Sequence, residues 1–148
     1  MHTMQLVNTD GTAVALTLIG YQYPHLETAL YDSNCLIIRI DATNAQGTWT
    51  ATSPCLLTYE VSRLADWLDA AADDRAERPV CTFIEPSLLF RVREAADGRR
   101  MLYVYLEVVL RPPWMPSKYA GQEDVWLAFV LDVLNLPATA RISLPRYI

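Results

Sequence analysis

The sequence predicts an α+β fold: a mainly antiparallel, twisted β-sheet or partly open sandwich of about eight strands, with one amphipathic helix over about residues 58–73. Short segments in which apolar and polar residues alternate recur along the chain, as expected for half-buried strands. Asp-Gly pairs, which favour hairpin turns, lie between such segments at Asp10-Gly11 and Asp97-Gly98. A stretch in the middle of the chain changes to the helical period of 3.6 residues.

The first half of the chain contains four predicted strands, at Met4–Val7, Val14–Ile19, Cys35–Thr43 and Thr48–Thr52. One face of the third strand is apolar and consists of Leu36, Ile38, Ile40 and Ala42. Its other face carries Ile37, Arg39 and Asp41. This alternation is typical of an antiparallel sheet that is covered on one side only. The segment Gln22–Asn34, which contains Pro24, is predicted to be a loop.

The predicted helix follows these strands directly. Its apolar stripe recurs every three or four residues, at Leu57, Val61, Leu64, Leu68 and Ala71. Thr58 is the expected N-cap, and Glu60 in the first turn suits the positive end of the helix dipole. Three carboxylates fall opposite the apolar stripe: Asp66, Asp69 and Asp73.

Four more strands are predicted after the helix, at Val80–Glu85, Leu88–Glu94, Arg100–Leu110 and Val125–Val133. The third of them places Leu102, Val104, Leu106, Val108 and Leu110 on one face and Met101, Tyr103, Tyr105, Glu107 and Val109 on the other. A proline-rich loop that contains Trp114 precedes the last strand. In the tail, residues 135–148, Pro137 and Pro145 leave room for at most a short helix.

Composition indicates a globular protein that is neither exported nor inserted into a membrane. The chain has 148 residues, of which 52% are hydrophobic and 20% charged, and is expected to form a single domain over residues 1–148. Its longest apolar runs are about ten residues, half of what a membrane-spanning helix needs. The first residues lack the basic and apolar regions of a signal peptide. The sequence therefore predicts a cytoplasmic location.

The side chains that usually carry catalysis are scarce. His2 and His25 are the two histidines, and neither has a neighbouring nucleophile or ligand pair. No glycine-rich phosphate-binding motif is present, and Cys35, Cys55 and Cys81 lack the spacing of a zinc site. These three cysteines are expected to be reduced and buried. We therefore expect a protein without catalytic activity, cofactor or metal.

Three groups of residues are candidates for a binding surface. The helix carboxylates Asp66, Asp69 and Asp73 form one group, with an ordinary solvated helix face as the alternative. Glu85, between Ile84 and Pro86, is expected at a strand end, where it contacts either a partner or nearby backbone. Trp114 could form a contact surface with Tyr103 and Tyr105, because Trp and Tyr are favoured interface anchors. If the helix covers that face, the tyrosines are core residues instead.

The net charge of −5 is unevenly distributed. Residues 1–77 carry ten acidic residues against three arginines, and residues 78–148 carry seven acidic against nine basic residues. The acidic first half could attract a basic protein over long range. Nucleic acid would be repelled by the chain as a whole.

Several segments resemble the WapI-type bacterial immunity proteins. They are Tyr31–Asn34 with the following Leu36-Ile37-Ile38, Gly47-Thr48-Trp49, the run SPCLLTYEVSRLADWL from Ser53 to Leu68, FIEPSLLFRV from Phe83 to Val92, and the final Pro145-Arg146. The resemblance implies a small cytosolic antitoxin that binds and blocks the toxic C-terminal domain of a secreted polymorphic toxin, often a nuclease. The short, proline-interrupted tail departs from the family pattern, which continues as a helix.

The favoured interpretation is a non-enzymatic protein-binding module, an immunity protein whose partner is a basic toxin domain. One alternative is an enzyme or small-ligand-binding protein with a pocket between sheet and helix that uses Glu85, Tyr103 or Glu107. Another is a structural homo-oligomer, such as a homodimer, that pairs exposed sheet faces.

Overall fold

The computed structural model describes residues 2–25 and 34–131. These residues form two antiparallel four-stranded sheets in which each strand pairs with its neighbour in sequence. The first sheet consists of β1 (His2–Val7), β2 (Ala13–Tyr21), β3 (Cys35–Asn44) and β4 (Gly47–Leu57). The helix α1 (Thr58–Ala72) leads to the second sheet, which consists of β5 (Val80–Cys81), β6 (Leu88–Glu94), β7 (Arg100–Leu106) and β8 (Trp126–Val130). The predicted α+β class with eight strands and one helix is thus confirmed.

The two sheets and the helix share one apolar core. The inward faces of the first sheet contribute Leu16, Ile38 and Ile40, and those of the second contribute Phe90, Val104 and Phe129. The helix adds its predicted stripe, including Val61, Leu64 and Leu68, all of which are buried. Because a half-apolar sheet must cover its apolar face, each sheet here buries that face against the other sheet and the helix.

Two strands after the helix are shorter than their apolar patterns predict. The predicted strand Val80–Glu85 pairs only at Val80 and Cys81, so Glu85 lies in a loop. The predicted strand Arg100–Leu110 ends at Leu106. A single 3-10 turn, Val108–Leu110, replaces its last residues, and Val108 has a φ of 51°. A β-branched residue avoids this left-handed conformation, so the turn is strained at that point.

The N-cap of the helix lies one residue earlier in the chain than predicted. Leu57, not Thr58, is the N-cap, and its backbone N–H donates to Glu60 Oε1 at 3.0 Å. The hydroxyl of Thr58 instead donates to Asn34 Oδ1. At the other end, Arg100 from β7 donates to the carbonyl oxygens of Ala71 and Ala72 at 2.7 and 3.0 Å. A basic residue from another element thus satisfies carbonyls that the helix leaves open.

Side chains also connect the edges of the two sheets. Asn8, directly after β1, accepts from the backbone N–H of Val130 at 3.2 Å and donates to the carbonyl of Ala128 at 2.5 Å. It therefore extends β8 as a neighbouring strand would and covers part of that edge.

In the described part of the chain, no helix is both long and apolar enough to cross a membrane. The predicted tail, residues 135–148, lies outside the described residues.

Candidate functional site

The long connection between β7 and β8 is held in place by buried charges. Arg111 is almost fully buried and binds both carboxylate oxygens of Asp124, at 2.6 and 3.2 Å. Glu107, also buried, accepts from the backbone N–H of Glu123 and lies 3.6 Å from the guanidinium of Arg111. Arg111 also lowers the pKa of Asp124. Both ends of the loop are therefore fixed to the same ion-paired cluster.

Trp114 projects from this loop onto the first sheet. Its ring lies edge-on to Trp49 at 5.4 Å, and its indole N–H donates to Gln46 at 3.0 Å. Gly47 allows this approach, because a Cβ at that position would lie 3.1 Å from the Trp114 ring. Trp49 in turn donates to the carbonyl oxygen of Leu110. Trp114 remains 41% exposed, so it combines a packing role with an accessible surface.

Of the three predicted helix carboxylates, Asp66 lies on the outward side of α1, Asp69 has one buried carboxylate oxygen, and Asp73 is the C-cap residue just beyond Ala72. Asp66 and Asp73 are exposed, and Asp69 is half-buried. Asp73 forms an ion pair with Arg75 at 3.0 Å just beyond the helix end. The exposed ring of Tyr59 stands near the start of the same helix. The outer side of α1 is therefore acidic, as its sequence pattern predicts.

Glu85 is half-buried in the loop between β5 and β6. The buried Glu60 fixes this loop, since its Oε2 accepts from the backbone N–H of Ile84 at 2.9 Å. Ile84 itself is 60% exposed. Glu85 also helps to raise the pKa of the nearby Cys55. The carboxylate thus lies at the end of α1 where the helix begins.

The structure does not gather the five candidate residues into one site. Trp114 contacts the start of β4 at Gly47, whereas α1 begins after the other end of that strand at Leu57. Ten residues of extended chain span about 30 Å. Glu85, near the start of α1, is therefore well separated from Trp114 along the first sheet. The end of α1 is bound by Arg100 at the start of β7, whereas Trp114 follows the other end of β7.

A further surface, only half anticipated by the sequence, lies on the outer side of the second sheet. Its side chains are Arg91 and Arg93 on β6, Tyr103 and Tyr105 on β7, and Trp126 on β8, which we call the arginine–aromatic face. The helix does not cover it: Trp67 of α1 contacts Phe90, which points to the opposite side of β6. Tyr103 and Tyr105 therefore do not lie under the helix, although Tyr105 is buried at 5% exposure and Tyr103 is half-buried.

The side chains of the arginine–aromatic face form a chain of contacts that runs across β6, β7 and β8. Arg93 lies over the Tyr103 ring at 6.0 Å, and Arg91 lies over the Tyr105 ring at 5.0 Å. Tyr105 lies 6.4 Å from Tyr103 and 6.2 Å from Trp126, between ring centroids. Arg91 is also ion-paired with Glu123 at 3.0 Å. The result is a continuous strip of stacked rings and guanidinium groups.

Two concave features lie on the surface of the described residues. A groove of about 370 Å³ lies between the end of α1 and β6, lined by Asp74, Arg93, Glu94 and Arg100 among others. A second cleft of about 130 Å³ is bordered by Phe83, Tyr105, Glu107 and Glu123. Within residues 2–25 and 34–131, no group of His, Cys, Asp and Glu side chains has the arrangement of a metal site.

The cysteines are buried in the described structure and form no disulfide, as predicted. Burial raises the pKa of the Cys55 thiol to about 12, and nearby Cys35, Glu60 and Glu85 add to the effect. Burial also raises the pKa of Cys81, although Arg63 acts in the opposite direction. Thiols with raised pKa values are poor nucleophiles.

The two antiparallel sheets share one apolar core and, together with the helix, define a small β-sandwich. The side chains suited to binding a partner lie on the outer faces of this sandwich. The chain belongs to the immunity protein WapI-like family, whose model matches residues 5–141. This match confirms the resemblance seen in the sequence. Searches of curated proteins and of solved structures found no match.

Proposed function

We propose that the protein is a non-enzymatic immunity protein that acts in the bacterial cytoplasm by binding and blocking a toxin domain. The observation that carries this proposal is the family match over residues 5–141. Proteins that act by binding a partner need an exposed surface with suitable anchors rather than a deep pocket. The shallow clefts and the ordered, partly exposed side chains of the outer faces are consistent with this mode of action.

The acidic side of α1 supports a basic partner, such as a nuclease toxin domain. Asp66 and Asp73 are exposed there, and the chain carries a net charge of −5. Charges at the rim of an interface mainly accelerate association and favour partners of opposite sign. We therefore propose that Asp66, Asp69 and Asp73 guide a basic toxin surface, and that Glu85 and Trp114 contact the partner at the two ends of the first sheet.

Co-expression tests this function. The protein is produced together with the C-terminal domain of any large toxin encoded beside its gene, and both cell growth and co-elution on size-exclusion chromatography are measured. We expect growth to be restored and the two chains to elute together. Unrelieved toxicity without a complex would show that this pair is not a toxin and its immunity protein.

The role of the helix carboxylates is tested by association kinetics. Reversing the charge of Asp66 and Asp69 with Lys should slow association about tenfold at low salt, with a smaller effect at high salt. Gln5→Lys is the control for added positive charge away from the helix, because Gln5 is exposed on β1. It adds one unit of charge against four, so the slowing is compared per unit of charge. An equal slowing per unit of charge would contradict the steering role.

A further inference from the structure

We propose that the arginine–aromatic face is the surface on which the toxin domain anchors, and that it receives an apolar side chain flanked by a carboxylate of the toxin. This inference rests on the proposed function and names the surface that performs it. The acidic helix would then guide the encounter, whereas the arginine–aromatic face would provide most of the binding free energy.

The composition of this face matches that of energetic anchors in protein interfaces. Trp, Tyr and Arg are the residue types whose truncation most often weakens a complex strongly. Trp126 is 48% exposed at one end of the strip, and Arg93 is exposed at the other. Between them Tyr105 is 5% exposed, so its ring supports the neighbouring side chains from below. The face is ordered before any partner arrives, which lowers the entropic cost of binding.

The outer face of the first sheet shows the contrast. It carries hydroxyl groups that bond to one another, with Thr3 and Thr17 at 3.1 Å and Thr43 and Thr48 at 3.1 Å. Its charged residues, Arg39 and Asp41, also pair with each other. The polar groups of that face therefore pair with one another, and its exposed apolar residues, Val7 and Ile19, are aliphatic. The outer face of the second sheet differs from it in having stacked aromatic rings.

The charges on the arginine–aromatic face define the partner. Glu123 pairs with Arg91, so that guanidinium is already neutralised. Arg93 is held over Tyr103, and no carboxylate of the described residues forms an ion pair with it. A guanidinium stacked on a ring keeps its N–H groups directed outward, where a carboxylate can accept two hydrogen bonds. The Tyr103 ring beneath Arg93 suits an apolar side chain beside that carboxylate, and Trp126 at the other end of the strip offers a second apolar contact.

Stacked aromatic rings on a sheet can also bind single-stranded nucleic acid, but the charge here favours a protein. Binding to phosphates needs several uncompensated basic residues along the path of the strand. On this face Glu123 compensates Arg91, so Arg93 alone would have to bind the phosphates. With a net charge of −5 as well, the protein is a poor ligand for a polyanion.

The test compares two variants of this face, Trp126→Ala and Arg93→Glu, for binding to the same toxin domain by titration calorimetry. Each should raise the dissociation constant by about 30-fold or more, the effect expected of an anchor residue. The matched controls are Ile19→Ala, at an exposed apolar residue of β2, and Arg78→Glu, at an exposed arginine after α1 that pairs with no carboxylate of the described residues. They should change the dissociation constant by less than about threefold. All four proteins should unfold within about 5 °C of the wild type, since each replaced side chain is exposed.

The outcomes separate this assignment from the proposed function. If the wild type binds and both face variants bind equally well, the assignment is wrong while the immunity function stands. If the wild type binds no toxin domain, the proposed function is wrong and the assignment falls with it. The assignment is also wrong if Trp126→Ala unfolds more than about 8 °C earlier, since the ring is then covered by the protein itself. If the wild type forms a dimer and Trp126→Ala does not, the face binds a second copy of the protein instead. If the wild type binds an oligothymidine strand and Trp126→Ala does not, the face binds nucleic acid instead.

Discussion

The carboxylate of Glu60 accepts a hydrogen bond from the backbone N–H of Ile84 at 2.9 Å, and so joins the start of α1 to the loop that carries Glu85. Its other oxygen accepts from the N–H of Leu57, and Arg63 lies 3.5 Å away. Glu60 is 1% exposed. One buried side chain therefore both caps the helix and positions a neighbouring loop, which makes it a critical residue for stability.

Replacing Glu60 by Ala should lower the free energy of unfolding by about 2–4 kcal/mol, because the buried N–H of Leu57 and the partly buried N–H of Ile84 lose their acceptor. Urea unfolding followed by circular dichroism measures the change. Asp66→Ala is the control, since Asp66 is exposed on the same helix, and should cost less than about 0.5 kcal/mol. Equal free energies of unfolding for the two variants would show that the hydrogen bonds of Glu60 do not stabilise the folded protein.

The role of Trp114 can be divided between packing and partner binding. Trp114→Ala removes the contact with Trp49 and the hydrogen bond to Gln46. We expect a loss of about 1–3 kcal/mol, while Trp114→Phe, which keeps a ring against Trp49, should lose less. Urea unfolding of both variants measures how much the contacts of Trp114 contribute to the free energy of unfolding. Unchanged stability together with lost binding of the toxin domain would instead show that Trp114 acts only at the interface.

The strands and the helix could be predicted because their signals are local. The alternation of Leu36, Ile38 and Ile40 with polar neighbours fixes which face of β3 is buried, and the observed burial agrees. The apolar pattern failed beyond Leu106, where alternation continues in sequence but the backbone turns at Val108. At that turn the buried carboxylate of Glu107 contacts the guanidinium of Arg111 and accepts a hydrogen bond from the backbone N–H of Glu123. These contacts between distant residues form only in the folded protein.

The candidate sites were harder to predict than the fold, since they depend on contacts between distant residues. Tyr103 and Tyr105 were recognised as a possible surface from their side of β7 alone. The arginines that stack on them come from β6, and Trp126 comes from β8, so the register of three strands had to be known. The cap that Arg100 provides for the end of α1 has no signal within the helix sequence for the same reason.

Stability should decrease as the pH falls below about 4, because native ion pairs and hydrogen bonds hold several carboxylates in the charged form. Thr50 and Arg39 lower the pKa of Asp41, and Arg111 lowers that of Asp124. A lowered pKa in the native state adds stability above the pKa of the unfolded chain, and this stability is lost as the native carboxylate takes up its proton.

Urea unfolding at pH 7, 5, 4 and 3 measures this dependence. The free energy of unfolding should be nearly constant between pH 7 and 5 and then fall. Asp41→Asn should be less stable than the wild type at pH 7 and should show a shallower decline in acid, because it removes one of the titrating groups. An equally steep decline in this variant would contradict the contribution of Asp41.

The two sheets should unfold together. Because they share one core with α1, we propose that the chain forms a single domain, and its buried cysteines report on the integrity of that core. Burial raises the pKa of Cys55 to about 12, so this thiol should not react with Ellman's reagent at pH 8 in the native protein. In increasing urea, Cys35 and Cys55 of the first sheet and Cys81 of the second should become reactive in the same transition as the loss of circular dichroism. Reaction of Cys81 in the Cys35→Ala/Cys55→Ala variant well before the main transition would show instead that the second sheet opens independently.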